Sequence, residues 1–197
     1  MKVLRGAPSE WDSGTSRGVF AVGVFDGVHR GHRHVLSVLR DRAAETDLTP
    51  SVLTFEPHPL RIVAPDHAPA MLTGIDHRLE LLAALGVEVT AVLEFDEKVR
   101  EWTPARFLAE TLAGPLAAEL VVVGEDFRFG KDRIGDVALL GELGSQLGLT
   151  PEVVSLVGGD TPVSSTRIRE MIIAGDVSGA AVSLARPHEL WGEVVLA

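Results

Sequence analysis

Two histidines three residues apart, His29 and His32, close the string Gly23-Val24-Phe25-Asp26-Gly27-Val28-His29-Arg30-Gly31-His32, which runs from a β-type segment straight into a helical pattern. With a helix starting near Gly31, one turn sets both imidazoles on the same side of its N-terminus. There they lie beside unpaired backbone N–H groups and the positive end of the dipole. Gly27 and Gly31 allow a sharp turn and let a phosphate approach without a Cβ in the way. Imidazoles, with a reference pKa of about 6.5, can donate hydrogen bonds to phosphoryl oxygens as charge accumulates in an in-line displacement. The same pair also fits an exposed helix face, or a metal site whose third ligand is not evident.

Three further segments carry chemistry. Val163-Ser164-Ser165-Thr166-Arg167-Ile168-Arg169 offers N-cap candidates in Ser164, Ser165 and Thr166, with free N–H groups, hydroxyls and guanidiniums to present to an anion. Arg167 and Arg169 are two apart and cannot share a helix face, and an ordinary capped helix with solvent-facing arginines fits as well. In Val121-Val122-Val123-Gly124-Glu125-Asp126-Phe127-Arg128-Phe129-Gly130, Asp126 suits a hard cation such as Mg²⁺ or an Asx-type turn, and one of Phe127 and Phe129 should face the core. Thr54-Phe55-Glu56-Pro57-His58-Pro59 is stiffened by two prolines, as a flat pocket wall or simply a rigid turn after a strand. His67, His77 and His188 fall outside these motifs and read as surface residues, and Trp11, Trp102 and Trp191 as packing residues.

The elements that must position these residues alternate. Strand-type segments cover Val19–Phe25, Ser51–Phe55, Val87–Phe95, Glu119–Gly124 and Glu152–Leu156, and between them helical patterns cover His32–Thr46, Ile75–Leu85, Pro104–Ala113 and Asp136–Leu147. Ser164–Ala174 and Asp176–Ala185 add two helices, Glu56–Pro69 reads as a long loop, and the final WGEVVLA as the beginning of another strand. The expected fold is α/β: a Rossmann-like, doubly wound parallel sheet of about five strands with C-terminal helices and a ligand crevice beyond the strands' carboxyl ends.

Composition sets outer limits. The 197 residues are 46% hydrophobic and 23% charged, which supports one compact domain. A net charge of −10 argues against a general nucleic-acid-coating role. With no cysteine there is no disulfide, thiolate zinc site or cysteine nucleophile. No apolar run approaches a membrane span, so neither nucleic acid nor membrane is expected as a partner, and a cytoplasmic location is expected.

The string G-x-F-D-G-V-H-x-G-H resembles the signature of the HxGH nucleotidyltransferase superfamily, and its FDGVH wording is closest to bacterial FAD synthetases, whose N-terminal module is an FMN adenylyltransferase. The three further segments, LTGIDHRLELLAALGVE and AGDVSGAA are similar to the same family in order and spacing. The resemblance implies adenylyl transfer from ATP to FMN, with Mg²⁺ accompanying ATP and FAD as product. It assigns His29, His32 and Arg169 to catalysis. ATP contacts fall to Gly23, Val24, Phe25, Asp26, Gly31, Gly124, Asp126, Ser165, Thr166 and Arg167, FMN contacts to Pro57, His58 and Phe129, and a metal contact to Asp126.

It further implies that residues 1–185 are the adenylyltransferase domain and 186–197 a tail where a riboflavin kinase module would normally begin. No P-T-A-N-type kinase motif occurs, so these residues are not expected to phosphorylate riboflavin: either the sequence is cut at the module boundary, or the enzyme stands alone and receives FMN from a separate riboflavin kinase. Ala185 and His188 stand where the family's GRPY string has Gly and Tyr, a sign of divergence. Two alternatives remain: a nucleotidyltransferase of the same fold with another phosphomonoester or flavin-analogue acceptor, and a catalytically idle flavin- or nucleotide-binding module.

Overall fold

A computed structural model describes residues 1–11, 17–155, 157–158 and 162–192. Six strands form one sheet: β1 (Lys2–Gly6), β2 (Gly18–Val22), β3 (Thr49–Glu56), β4 (Val89–Glu94), β5 (Ala118–Gly124) and β6 (Thr150–Val154). Their order is β1-β4-β3-β2-β5-β6, with every pairing parallel. The helices are α1 (Arg30–Thr46), α2 (Pro59–Val63), α3 (Ile75–Ala84), α4 (Glu97–Arg100), α5 (Pro104–Phe107), α6 (Val137–Leu147), α7 (Ser165–Ile173) and α8 (Val177–Leu184). Among the described residues no helix is long and apolar enough to cross a membrane.

The central strands are apolar at successive positions because both faces are covered. In β2, Val19 and Ala21 join one core with Leu36, Leu39 and Ala43 of α1 and Leu82 of α3, while Phe20 and Val22 join the opposite core with Phe107 and Leu140. A third, smaller core holds α7 to α8 through Ile168, Ala180 and Leu184, with Leu72 between them. From β2 the chain builds outward through β3 and β4, then crosses back to place β5 on the other side of β2. That reversal puts the switch point, and with it the ligand crevice, at the carboxyl end of β2.

The expected α/β architecture is present with six strands rather than five. The additional β1 lies at an edge, where Leu4 alone is buried, so its sequence carries no apolar run to announce it. β2 ends at Val22, so Gly23, Val24 and Phe25 belong to the following turn. The Glu56–Pro69 loop contains α2 and a 3₁₀ turn at Pro65–His67, α4 was not expected, and Pro104–Ala113 divides into α5 and a π-helical turn at Leu108–Ala113. Leu156 of the fifth expected strand and Glu193–Ala197 of the expected terminal strand lie outside the described residues.

Candidate active site

At the switch point the chain is pinned to its neighbours and sharply turned. The Gly23 N–H donates to Leu53 O at 3.1 Å, and the Thr54 hydroxyl donates to Val24 O at 3.0 Å. Phe25 (φ 55°), Gly27 (φ 80°) and Val28 (φ 41°) all take left-handed backbone, which a β-branched residue adopts only under strain. Burial of Phe25 and Val28, at 2% and 0% exposure, offsets that cost. The Gly27 position favours glycine on two counts: besides its φ, a Cβ there would lie 2.8 Å from Leu72 Cδ1, which would have to move.

This turn delivers His29 to the N-cap of α1, where its Nδ1 accepts from the His32 N–H at 3.3 Å. A neutral His29 that accepts at Nδ1 carries its proton on Nε2. The two imidazoles stack with centroids 3.6 Å apart and planes 16° from parallel. A Cβ on Gly31 would meet the His29 ring at 3.1 Å, so the glycine between the histidines leaves the stack unpressed. Burial pushes His29 down to about 4, against a partial upward pull from Asp26. Burial also holds His32 well below the ordinary range, with His29 and Arg78 adding to the effect. Both rings are therefore neutral near pH 7 and act as hydrogen-bond donors and acceptors.

Asp26 turns inward. At 2% exposure it accepts from the Leu72 N–H at 3.0 Å, from the Thr73 N–H at 2.9 Å and from the Thr73 hydroxyl at 3.2 Å, and it forms an ion pair with Arg169. Arg169 also donates through Nε to Ala70 O at 2.6 Å. Expected among the nucleotide contacts, the Asp26 carboxylate is taken up by protein donors that bind three segments together, and its own C=O accepts from the Ser165 hydroxyl at 2.9 Å.

Ser164, among the three cap candidates, caps α7 by accepting from the Arg167 N–H at 3.3 Å. Thr166 and Arg167 are exposed on the first turn. Val163 O would lie 3.4 Å from a Cβ on Gly31, so the starts of α7 and α1 face each other across the turn after β2. Gly124 closes β5 beside Val154, and Asp126 stands exposed in the turn that follows. Among the described residues no three His, Asp or Glu side chains converge on a metal-sized site. A lone carboxylate suits Mg²⁺ that keeps its waters and arrives on nucleotide phosphates, rather than a cage made by protein.

On the β3 side, Pro57 follows a cis peptide and His58 caps α2, its Nδ1 accepting from the Leu60 N–H at 3.1 Å. Burial lowers the His58 pKa, helped by the charges of Arg169 and Arg78. Phe129, expected against a flavin, is 5% exposed within the core. It stacks on the half-buried Phe127 at 5.4 Å and continues through Phe107 at 6.0 Å to Phe55 at 6.3 Å, a row of rings that reaches within two residues of Pro57.

A family model described as FAD synthetase matches residues 12–167. The chain belongs to the FAD synthetase family. Curated relatives named bifunctional riboflavin kinase/FMN adenylyltransferase include that of Escherichia coli (strain K12), 34% identical over 99% of this chain and 63% of the relative. Those of Pseudomonas fluorescens and Bacillus subtilis (strain 168) are 36% and 34% identical over 90% and 91% of this chain, each at 57% of the relative. The chain thus spans less than two thirds of the length of these relatives. A structure described as a macrolide-efflux protein from Streptococcus pneumoniae superposes with a TM-score of 0.83 at 26% identity, covering 95% of this chain and 63% of that one. A pantoate-beta-alanine ligase from Francisella tularensis shares the fold alone, with a TM-score of 0.52 at 13% identity over 91% of this chain and 78% of that one.

In this FAD synthetase family member several residues at the site lie inside or beside the quoted segments but were given no role in them. Thr54, Leu72 and Thr73 act through hydroxyl and backbone groups, which leave little mark in a sequence. His77, expected at the surface, is 5% exposed and stacks on the exposed Trp191 at 4.3 Å. His188, also expected at the surface, is half-buried with Nε2 3.3 Å from Leu72 O. Arg186 donates to Gly27 O at 2.8 Å. Arg78 is fully buried, and its signal was legible: it occupies a place in the apolar stripe of α3 with Leu79 and Leu82.

Proposed function

We propose that this chain transfers AMP from ATP to FMN, yielding FAD and pyrophosphate. The observation that carries the reading is the stacked, neutral His29–His32 pair capping α1 at the switch point of the sheet, opposite the start of α7. A phosphate oxygen of FMN attacks the α-phosphorus of ATP, the new P–O bond forms as the bond to the β-phosphate oxygen breaks, and pyrophosphate departs in line.

His29 donates from Nε2, with His32 beside it, to the α-phosphate oxygens as charge develops there. Thr166, Arg167 and the start of α7 hold the departing phosphates, with Ser165 and Arg169 fixing that helix against the turn and Arg169 also reaching phosphate. Gly23, Val24, Phe25, Asp26 and Gly31 shape the nucleotide cradle mainly through backbone, and Gly124 and Asp126 close it from β5. Mg²⁺, where bound, neutralises phosphate charge, and Asp126 is the residue that would reach it. Pro57 and His58 form the flavin wall, with Phe129 behind it. Positioning of two bound substrates supplies much of the rate.

Residues 1–185 would constitute the catalytic unit and 186–197 the tail that follows it. The reaction is placed in the cytoplasm, with neither nucleic acid nor membrane as partner. The test is purified protein with Mg·ATP and FMN, measuring FAD and pyrophosphate together. Equimolar appearance of both is expected. Pyrophosphate released with another phosphomonoester but not with FMN would move the assignment to another acceptor, and binding of both substrates without release would make this an idle binding module.

A further inference from the structure

Arg78 is a cation where the fold would accept a hydrocarbon. Its place on α3 lies in the stripe with Leu79 and Leu82, and its side chain is fully buried. The guanidinium is poorly matched. Nη1 reaches Thr54 Oγ1 at 3.4 Å and Phe55 O at 3.3 Å, Nη2 lies 3.9 Å from the Glu56 carboxylate, and neither Nε nor Nη2 has a hydrogen-bond partner among the described residues. Asp26, the other acid acting on it, is already paired with Arg169. A buried charge with so little compensation is costly, and an apolar side chain of similar volume often serves stability as well or better.

The location suggests what offsets that cost. Thr54 links Arg78 to Val24 in the turn after β2, and Phe55 and Glu56 lead directly into Pro57 and His58. Arg78 thus sits against the end of β3, beside the strand that leads into the flavin wall and one Thr54 hydroxyl away from the turn of the nucleotide cradle, and its charge acts on both His32 and His58. An acceptor whose phosphate attacks the α-phosphorus must place a dianion between those two walls.

We infer that Arg78 is an electrostatic positioning residue for the acceptor: its only partly compensated guanidinium, lodged behind the ends of β2 and β3, draws the phosphate dianion of FMN toward His29 and His32 and makes the site discriminate FMN from riboflavin. The inference deepens the adenylyl-transfer reading and rests on it. Fully enclosed, Arg78 acts through space rather than by touching substrate.

The experiment compares FMN and riboflavin affinities, read by flavin fluorescence, for the wild type, Arg78→Met and Arg78→Lys, alongside KM for ATP and melting temperature. Arg78→Met is expected to weaken FMN by about tenfold or more, while riboflavin and KM for ATP shift by no more than about threefold and the melting temperature is held or raised. Arg78→Lys should recover most of the preference. Should Arg78→Met not fold, Arg78→Gln carries the same comparison.

Parallel loss of both flavins, an unchanged FMN-to-riboflavin ratio, or Arg78→Lys as impaired as the neutral variant overturns the inference and leaves Arg78 a structural residue. A wild type without FMN preference overturns it too. A wild type that prefers FMN but forms no FAD, with the preference lost in Arg78→Met, removes the reaction and keeps the phosphate-selecting role.

Discussion

At the residue scale the proposed chemistry rests on two imidazoles kept neutral by burial. Loss of a preorganised donor to developing phosphoryl charge costs about 10² to 10³ in turnover. His29→Ala and His32→Ala are therefore expected to lower kcat by that factor with KM for ATP shifted by less than about threefold, as steady-state kinetics would show. Equal losses in both would mean that the rings bind ground-state nucleotide. Burial also couples His29 to stability. Its folded-state pKa is pushed from 6.5 down to about 4, so between those values the unfolded chain takes up the proton that the folded one refuses. Stability should be complete above about pH 6.5 and fall by roughly 3 kcal/mol as the pH drops toward 4. Urea melts at stepped pH measure it, and His29→Gln should flatten that slope.

At the scale of elements, the site is a junction. Asp26 holds the turn after β2 to residues 72–73 ahead of α3 and, through Arg169, to α7. Breaking a buried ion pair from one side costs about 3 to 5 kcal/mol, and each kcal/mol is worth about 2 to 4 °C in a chain of this size. Asp26→Ala should therefore lower the melting temperature by about 10 °C, read by calorimetry, and abolish turnover by freeing α7 from α1. Ser164→Ala removes only a cap and should cost about 1 kcal/mol. A comparable melting loss from the two would contradict the junction.

At the scale of the whole molecule, residues 186–191 return to the site. Arg186 reaches Gly27 O, His188 approaches Leu72 O, and Trp191 covers His77. Arg186→Ala is expected to speed amide hydrogen exchange across residues 25–29 while leaving β3 and β4 protected; unchanged exchange there would mean that the segment merely rests on the surface.

What local order could express was readable along the chain. Unbroken β-branched runs gave buried strands, positions three and four apart gave helices, and the hydroxyl run at Ser164 gave an N-cap, because each depends on neighbours within one turn or two. Long-range matching was not readable. Nothing near Asp26 shows that its carboxylate meets Arg169, 143 residues away. Nothing in the charged edge strand β1 announces that it pairs with β4. Arg78 marks the boundary between the two: its intrusion into an apolar stripe was visible from spacing, but the poor match of its guanidinium against Thr54 and Phe55 came only from the packing of α3 against the end of β3. Side-chain periodicity reports which face is buried, and only the order in which strands assemble decides what that face meets.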